Sequence, residues 1–252
     1  MNDEIKSAAR VLDMLELFSA RCDGLSLTDV AKGLDLPKSS ALGLLRTLSR
    51  RGYLVRDDGD LYRLNDMVRR DGFARHGRLL RVGPPLMRDL ADTVGETVLL
   101  GMTGDRDVVR LIAKEAASRD IRFDIDLPRQ VPAYCTAIGR VLLSVKDDDG
   151  VRAALSRATL EQQTERTVTD IDRLVELVAE ARATGVAIVE DEFALGGTGI
   201  ACLIPLGPGH AHAALNIGCV SARFPATRGD LISALTQTAG RIAAAIGPDR
   251  AV

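Results

Sequence analysis

The stretch "LPKSSALGLLRTLSRRGYLV", residues 36–55, contains four cationic residues and no acid, whereas the whole chain of 252 residues has a formal net charge of -2. A helical period of 3.6 residues gathers its alanine and three of its leucines on one side. Pro37 suits the start of this helix, and Gly52 suits the position just after its end. We therefore predict a helix with an apolar face for a core and an opposite face that is small at first and then cationic.

The small, cationic face is typical of a surface that binds DNA. Short side chains let a helix approach the phosphates closely, and arginine reaches guanine edges in the major groove. A face that only keeps a protein in solution usually mixes glutamate with lysine and arginine. We predict that double-stranded DNA is bound by eight residues on or just after this helix: Lys38, Ser39, Ser40, Gly43, Arg46, Thr47, Arg50 and Arg51.

The flanking sequence has the order of a winged helix-turn-helix. "SLTDVAKGL", residues 26–34, has helical spacing and a capping box formed by Ser26 and Asp29. "YLVRDDGDLYRL", residues 53–64, has extended apolar residues on both sides of an Asp-Gly pair, which predicts a hairpin. Residues that would close a small core lie on a preceding amphipathic helix, at Ala8, Val11, Leu12, Leu15 and Phe18. A protein-docking module stays open as an alternative, because winged-helix folds also bind proteins.

Composition limits the remaining classes. The N-terminal "MNDEIKSAAR" lacks a signal-peptide pattern, and no apolar run approaches the roughly 18 residues of a membrane span. We therefore expect a cytoplasmic protein without membrane contact. The cysteines have no Cys-x-x-Cys spacing, so we expect reduced core residues and no metal or cofactor; they are Cys22, Cys135, Cys202 and Cys219.

Beyond residue 65 the patterns predict a linker helix and an α+β domain. The helix would contain two glycines and end at Pro84 and Pro85. Five apolar strands are predicted, at "ETVLLGM", "VVRLIAK", "GVAIVED", "IACLIPL" and "HAALNIGCV". A helix begins at Thr136, and another covers residues 170–184. The last helix would bury Leu231, Leu235, Thr238, Ile242 and Ala245, with the helices gathered beside one sheet.

The segments "CTAIGRVLLS", residues 135–144, and "GVAIVEDEFALGGTGIACLIPLG", residues 185–207, follow this winged helix at a separation that resembles the IclR family of bacterial transcriptional regulators. The resemblance implies a winged helix-turn-helix domain at residues 1–66, a linker helix at 67–85 and a GAF-like effector-binding domain at 86–252. It implies a homodimer or a dimer of dimers on a palindromic operator, acting as repressor or activator. Its effector would be a small molecule, commonly an organic or aromatic acid.

The same resemblance implies an effector site lined by the turn that opens the helix after Thr136, by one strand and by alternate residues of the next strand. These residues are Ala137, Ile138, Gly139, Cys202, Asn216 and Gly218. Independently of the family, a helix N-terminus suits a carboxylate, and an asparagine amide both donates and accepts hydrogen bonds. Members often carry hydroxyl residues where this chain has Asn216 and Gly218, and lysine where it has Arg140. The alternative is that Cys202 and Gly218 are only small core residues.

Other motifs have weak support. An enzyme with an appended winged helix would need an activated nucleophile, such as Cys202 or Cys219 with His212, but no further catalytic group assembles around them, so we predict no enzyme. "LGGTG", residues 195–199, is expected to be a flexible turn and not a phosphate loop. Residues 190–192, "EDE", are expected to be a solvated strand end, and His210 with His212 lacks a third metal ligand.

Overall fold

A computed structural model describes residues 5–19, 24–57, 59–64, 73–104, 107–127, 129–206 and 212–246. These residues form two compact units, and the division falls between Leu79 and Leu80. Of the predicted features, Cys22, Asp58, His210 and residues 67–72 of the linker lie outside the described residues. Each unit is described by itself.

The first unit contains three helices and a two-stranded hairpin, as the sequence predicts. They are α1 (Lys6–Ser19), α2 (Leu27–Gly33), α3 (Lys38–Arg50), β1 (Leu54–Arg56) and β2 (Tyr62–Leu64). The capping box of α2 is present, because the Ser26 hydroxyl accepts the Asp29 N–H at 3.2 Å and the Asp29 carboxylate accepts the Ser26 N–H at 3.0 Å. Pro37 immediately precedes α3 instead of being its first residue.

The predicted apolar face of α1 is partly wrong. Leu15 and Phe18 are buried, together with Met14, whereas Ala8 is exposed and Leu12 is 50% exposed. The core contacts Val11 and the second half of α1, because the rest of this small unit packs around Met14 to Phe18. The first half of the helix therefore leaves apolar side chains at the surface.

The hairpin turn differs in detail from the predicted tight turn. The Asp57 N–H donates to the Leu61 carbonyl, so three residues lie within the loop. The Asp57 carboxylate accepts N–H groups from Gly59 and Leu61, at 3.0 and 2.9 Å. Asp60 has a φ of 62°, so an aspartate occupies the left-handed position of the loop.

The predicted break at Pro84 and Pro85 is wrong. One helix, α4, runs from Phe73 to Val94 with both prolines inside it. A proline within a helix costs about 3 kcal/mol through a lost hydrogen bond and a steric clash. Burial of Met87, Leu90 and Ala91 in the turns that follow offsets this cost. The helix ends at Gly95, whose φ of 67° suits glycine.

The second unit is built on a six-stranded antiparallel sheet in the order β5-β4-β3-β8-β7-β6. The strands are β3 (Thr97–Thr103), β4 (Val109–Glu115), β5 (Arg129–Val131), β6 (Val186–Glu190), β7 (Gly197–Ile204) and β8 (Ala213–Val220). All five predicted strands are present, and β5 was not predicted. "LGGTG" is not a turn throughout: the turn is at Gly196, with a φ of 81°, and Gly197 already belongs to β7.

Helices pack on both faces of this sheet, not on one side as predicted. They are α5 (Ala137–Leu143), α6 (Asp148–Arg157), α7 (Ile171–Thr184) and α8 (Phe224–Ile246), of which α6 was not predicted. A side chain at Gly199 would touch Ala137 of α5, whereas the Cys202 sulfur lies 3.9 Å from the Leu235 carbonyl of α8. Residues 199 and 202 point to opposite faces because side chains alternate along a strand. The α5 and α8 helices therefore cover different faces.

The core face of α8 was predicted correctly except at its end. Leu231, Leu235, Thr238 and Ile242 are buried, but Ala245 is exposed and Ile246 is buried in its place. Ile246 follows Ile242 by four residues, which is the spacing that keeps a side chain on one helical face.

Candidate DNA interface and ligand cavity

Helix α3 presents its predicted DNA-contacting residues on the side opposite its core. Ala41, Leu45 and Leu48 are buried, and Ser40 is half-buried. The other predicted residues are exposed: Lys38, Ser39, Gly43, Arg46, Thr47, Arg50 and Arg51. No atom lies within 4 Å of a side-chain carbon built at Gly43, so the protein's own packing does not require a glycine there. Its small size leaves space for an external surface to approach the helix backbone.

The cations of α3 differ from those of the hairpin in their partners. In the hairpin Arg56 pairs with Asp60 at 2.8 Å, and Arg63 pairs with Asp57 at 3.2 Å. Among the described residues, by contrast, no carboxylate lies within 4.0 Å of a charged nitrogen of Arg46 or Arg50, and the same is true of Lys38 and Arg51. Their charge is therefore available to phosphates.

A groove between α3 and the hairpin adds residues that the sequence analysis did not select. It is lined by Leu42, Arg46, Ser49, Arg50, Arg56 and Tyr62. The Arg56 guanidinium lies over the Tyr62 ring, 5.6 Å from the centroid, and this holds it beside the helix. The Ser49 hydroxyl oxygen is buried and has no hydrogen-bond partner among the described residues. Arg56 directly follows the basic stretch of residues 36–55 and could have been selected for that reason.

A cavity in the second unit lies between the sheet and the start of α5. It contains about 480 Å³ of space not filled by atoms, including its opening to solvent. The lining residues come from all six strands, the start of α5 and three loops: Leu99, Leu111, Phe123, Ile125, Val131, Cys135, Thr136, Ala137, Ile138, Val189, Phe193, Ala194, Gly197, Gly199, Asn216 and Gly218. Concave, mainly apolar sites of this kind are typical of small-molecule binding.

Strand register explains which side chains face the cavity. Asn216 pairs with Leu99 of β3, and Gly218 pairs with Gly199 of β7. Directly paired residues project to the same face, so all four form the floor. A carbon added at Gly199 would lie 3.3 Å from the Asn216 side-chain oxygen, which puts this amide beside the glycine.

Four of the six predicted effector-site residues line this cavity, namely Ala137, Ile138, Asn216 and Gly218. Cys202 does not, because it pairs with Leu215 and its side chain points to the opposite face, towards α8. Because side chains alternate along β7, residues 199 and 201 project to the cavity face of the sheet instead.

Gly139 also does not line the cavity, and its role is to let α5 pack closely. A carbon added there would lie 2.3 Å from the Ala133 backbone, so any other residue would clash. Its N–H donates to the Thr136 hydroxyl at 3.2 Å. One of the helix N-terminal donors that the sequence analysis assigned to a ligand is therefore used by the helix cap.

The cavity is poor in charge. None of its lining residues is ionised at neutral pH, because burial raises the pKa of the Cys135 thiol to about 11. Asn216 is 5% exposed. The rings of Phe123 and Phe193 were not among the predicted site residues, because they lie in loops without a periodic pattern.

A buried ion pair lies behind α5. Arg140 donates to Glu192 at 2.6 Å and to the Tyr134 carbonyl at 2.9 Å, and Glu192 also accepts the Val168 N–H at 3.1 Å. The expectation of a solvated strand end at residues 190–192 is therefore wrong for Glu192, which is 8% exposed. The carboxylate is buried because α5 brings a guanidinium to it from 52 residues away.

The other chemical motifs do not assemble into a site in the described structure. No cluster of three metal-ligating side chains occurs among the described residues. Burial raises the pKa of both Cys202 and Cys219 to about 12, so neither thiol is a thiolate at neutral pH. None of the helices in the described ranges combines the length and apolarity that crossing a bilayer requires.

Comparison with family models identifies both halves of the chain. The model of the IclR helix-turn-helix domain matches residues 7–58. The model of the bacterial transcriptional regulator IclR C-terminal domain matches residues 74–244, which is more than half of the chain.

Similar proteins agree with these matches. The Pca regulon regulatory protein of Pseudomonas putida is 30% identical over 217 residues, covering 85% of this chain and 74% of that protein. The transcriptional regulator KdgR of Escherichia coli is 27% identical and covers 95% of this chain and 91% of its own. A putative transcriptional regulator from Rhodococcus sp. RHA1 has a solved structure with a TM-score of 0.63 and 30% identity, covering 96% of this chain and 98% of that one.

An IclR homologue of Microbacterium hydrocarbonoxydans, solved in complex with 4-hydroxybenzoate, shares the fold. Its TM-score is 0.61 at 23% identity, over 95% of this chain and 98% of that chain.

Proposed function

Because this chain belongs to the IclR family of bacterial transcriptional regulators, we propose that α3 and the adjacent hairpin bind its operator and that the cavity of the second unit binds its effector. One observation carries the proposal: the cationic face of α3 is exposed and has no carboxylate partner among the described residues, in a chain whose overall charge is slightly negative. Such a local surplus of positive charge favours phosphate binding.

We propose that three ranges of residues have different roles. Residues 1–66 bind DNA, residues 67–85 connect, and residues 86–252 bind the effector. Helix α4 extends past the connecting segment to Val94, so its last turns belong to the effector-binding domain.

Within the DNA surface, different residues have different roles. Arg46 lies near the middle of α3 and reads a base, because its long side chain can reach guanine in the major groove. Lys38, Arg50 and Arg51 bind phosphates, and the hydroxyls of Ser39, Ser40 and Thr47 support them, with Gly43 allowing close approach. Arg56 of the hairpin joins this set, since its stacking on Tyr62 places it in the same groove as Arg46.

The protein acts as a homodimer or a dimer of dimers on a palindromic operator. One recognition helix reads only a few base pairs, so a specific site requires two, related by a twofold axis. The apolar surface of α1 supports self-association, because Leu12 is 50% exposed on the helix and Ile5, which immediately precedes the helix, is 70% exposed. A protein that regulates bacterial DNA acts in the cytoplasm.

The effector is a small organic molecule held by Ala137, Ile138, Asn216 and Gly218, and the protein is not an enzyme. A ligand changes DNA binding only if it favours one conformational state over another. The ligand contacts the start of α5 and the central strands, and α4 is the segment of chain that connects this unit to the DNA-binding one.

The test is a binding titration on duplexes taken from the DNA next to the gene of this protein. A footprint with two inverted half-sites and a steep loss of affinity with salt are expected. Arg46→Ala should weaken the specific complex, and Arg173→Ala, an exposed arginine of α7, is the matched control. Salt-insensitive binding, or equal affinity of the Arg46→Ala variant, would favour a protein-docking role instead.

A further inference from the structure

We infer that the cavity selects an uncharged aromatic effector with a polar group that is hydrogen-bonded by Asn216, and not the organic acid that the family resemblance implies. This inference rests on the proposed function, because it assigns a ligand class to the same cavity. It is carried by the polarity, the neighbouring charges and the walls of the cavity.

Asn216 is the polar side chain of the cavity that a ligand can use. Thr136 also lines it, but its hydroxyl already donates to the Pro132 carbonyl at 2.6 Å and accepts the Gly139 N–H at 3.2 Å. The Asn216 amide is 5% exposed, and its side chain makes no hydrogen bond to any described residue. This amide faces the cavity, so a ligand group that both accepts and donates can hydrogen-bond to it and gains affinity here.

Among the described residues, each cation around the cavity is paired with the protein or faces solvent. The Arg140 guanidinium behind α5 is held by Glu192, and the Lys114 ammonium is held by Asp124 at 2.7 Å and by the Ile125 carbonyl at 2.8 Å. The Arg129 side chain is exposed and lies over Phe193, with its guanidinium 6.0 Å from the ring centroid.

A carboxylate in the cavity would therefore lose its hydration without gaining a counter-charge from the lining residues. The start of α5 compensates only in part, since the hydroxyl cap already accepts one of its N–H groups. The neutral form of a ligand is favoured for the same reason that burial keeps the thiol of Cys135 protonated.

The walls of the cavity favour an aromatic ligand. Its floor includes the adjacent glycines Gly199 and Gly218, and its walls include the rings of Phe123 and Phe193. The Phe123 ring lies directly over the floor, 2.6 Å from the position that a carbon at Gly218 would take. The Thr97 hydroxyl holds this segment by donating to the Phe123 carbonyl at 2.6 Å. Phe123 therefore covers Gly218, and a ligand beside Asn216 meets the rings of Phe123 and Phe193, against which an aromatic ring packs favourably.

The experiment uses matched probes that differ in charge. Binding of 4-hydroxybenzamide and of 4-hydroxybenzoate to the full chain is measured by isothermal titration calorimetry at pH 7.5. The two probes share ring, hydroxyl and size, so the comparison isolates the charge. We expect the amide to bind about tenfold more tightly than the acid, a difference of about 1.4 kcal/mol. Affinity for the acid should rise as the pH falls, because the neutral form is the one that enters.

Three variants identify the groups involved. Asn216→Leu keeps the size of the side chain but removes its polarity, and we expect it to weaken amide binding about tenfold with the unliganded melting temperature retained. Asn216→Ser gives a second readout, since it keeps a donor and an acceptor. Arg129→Gln should leave amide binding unchanged.

Acid binding that equals or exceeds amide binding overturns the inference, as does acid binding that disappears in Arg129→Gln, which would show a cationic subsite. Failure of the amide to bind at millimolar concentration also overturns it. None of these results contradicts the proposed function. The proposed function is contradicted if the duplex titration shows no operator binding or if no molecule alters that binding.

Discussion

The arginines at positions 46 and 140 show how differently the two units use the same residue type. Arg46 is exposed on α3 and has no carboxylate partner among the described residues. Arg140 is 2% exposed and is held by Glu192 and the Tyr134 carbonyl. The first charge is available to an external phosphate, whereas the second is neutralised inside the protein. A cation therefore indicates binding only when its own fold leaves it without a partner.

The same contrast applies to the glycines of the two regions. Gly43 on α3 has no neighbour within 4 Å of an added side-chain carbon, whereas Gly218 and Gly139 meet Phe123 and the Ala133 backbone at 2.6 and 2.3 Å. In the DNA-binding unit small size leaves room for a partner molecule. In the effector-binding unit the small size of these glycines is required by the packing of the protein itself.

The largest expected effect comes from breaking the buried pair. Glu192→Ala leaves Arg140 buried without a counter-charge and removes the acceptor of the Val168 N–H, so the free energy of unfolding should fall by roughly 3–5 kcal/mol. Urea unfolding followed by circular dichroism measures it, since the chain has no tryptophan. Glu190→Ala, at the exposed end of β6 two residues earlier, should change stability by less than about 0.5 kcal/mol. Equal effects of the two substitutions would contradict the contrast between buried and exposed charge.

The next effect concerns the glycine floor. Gly218→Leu should abolish the response of operator binding to ligand and lower stability by about 1–3 kcal/mol, because the new side chain must displace Phe123 into the cavity. Operator affinity without ligand should stay close to that of the wild type. Gly240→Ala is the control, since this glycine is exposed on α8 and nothing lies within 4 Å of an added carbon. A ligand response that persists in a folded Gly218→Leu protein would show that the floor does not belong to the effector site.

The third effect tests the exposed arginine. Arg46→Ala should weaken specific operator binding by roughly 1–3 kcal/mol while changing stability by less than about 0.5 kcal/mol. Fluorescence anisotropy on the operator and on a scrambled duplex separates base reading from phosphate contact. If affinity falls equally on both duplexes, Arg46 contacts phosphate and another residue reads the base.

The smallest effect is a change of salt dependence. Arg50→Ala should reduce the slope of log affinity against log salt concentration by about 0.9, as expected for the loss of one phosphate contact. The titration is run between about 50 and 200 mM salt, the range over which such contacts weaken most visibly. An unchanged slope would remove Arg50 from the DNA surface.

Local patterns allowed the sequence to specify the DNA-binding unit closely. The capping box of Ser26 with Asp29, the apolar face of α3 and the hairpin all depend on residues within a few positions of one another. The same holds for Thr136 and Asp170, which cap α5 and α7 where expected. The cationic face was visible because exposed residues need no distant partner to be placed.

Only the tertiary structure decided what depends on distant residues. Whether Cys202 faces the cavity or α8 is set by its pairing with Leu215, and β-strand alternation then determines the orientation of the whole strand. Likewise α4 continues through Pro84 because the turns beyond it are buried, which outweighs the local preference to stop. The sequence by itself determined the helices, strands and basic surface, since period and capping are local. Register and burial decided the cavity, because they bring together side chains that lie far apart along the chain.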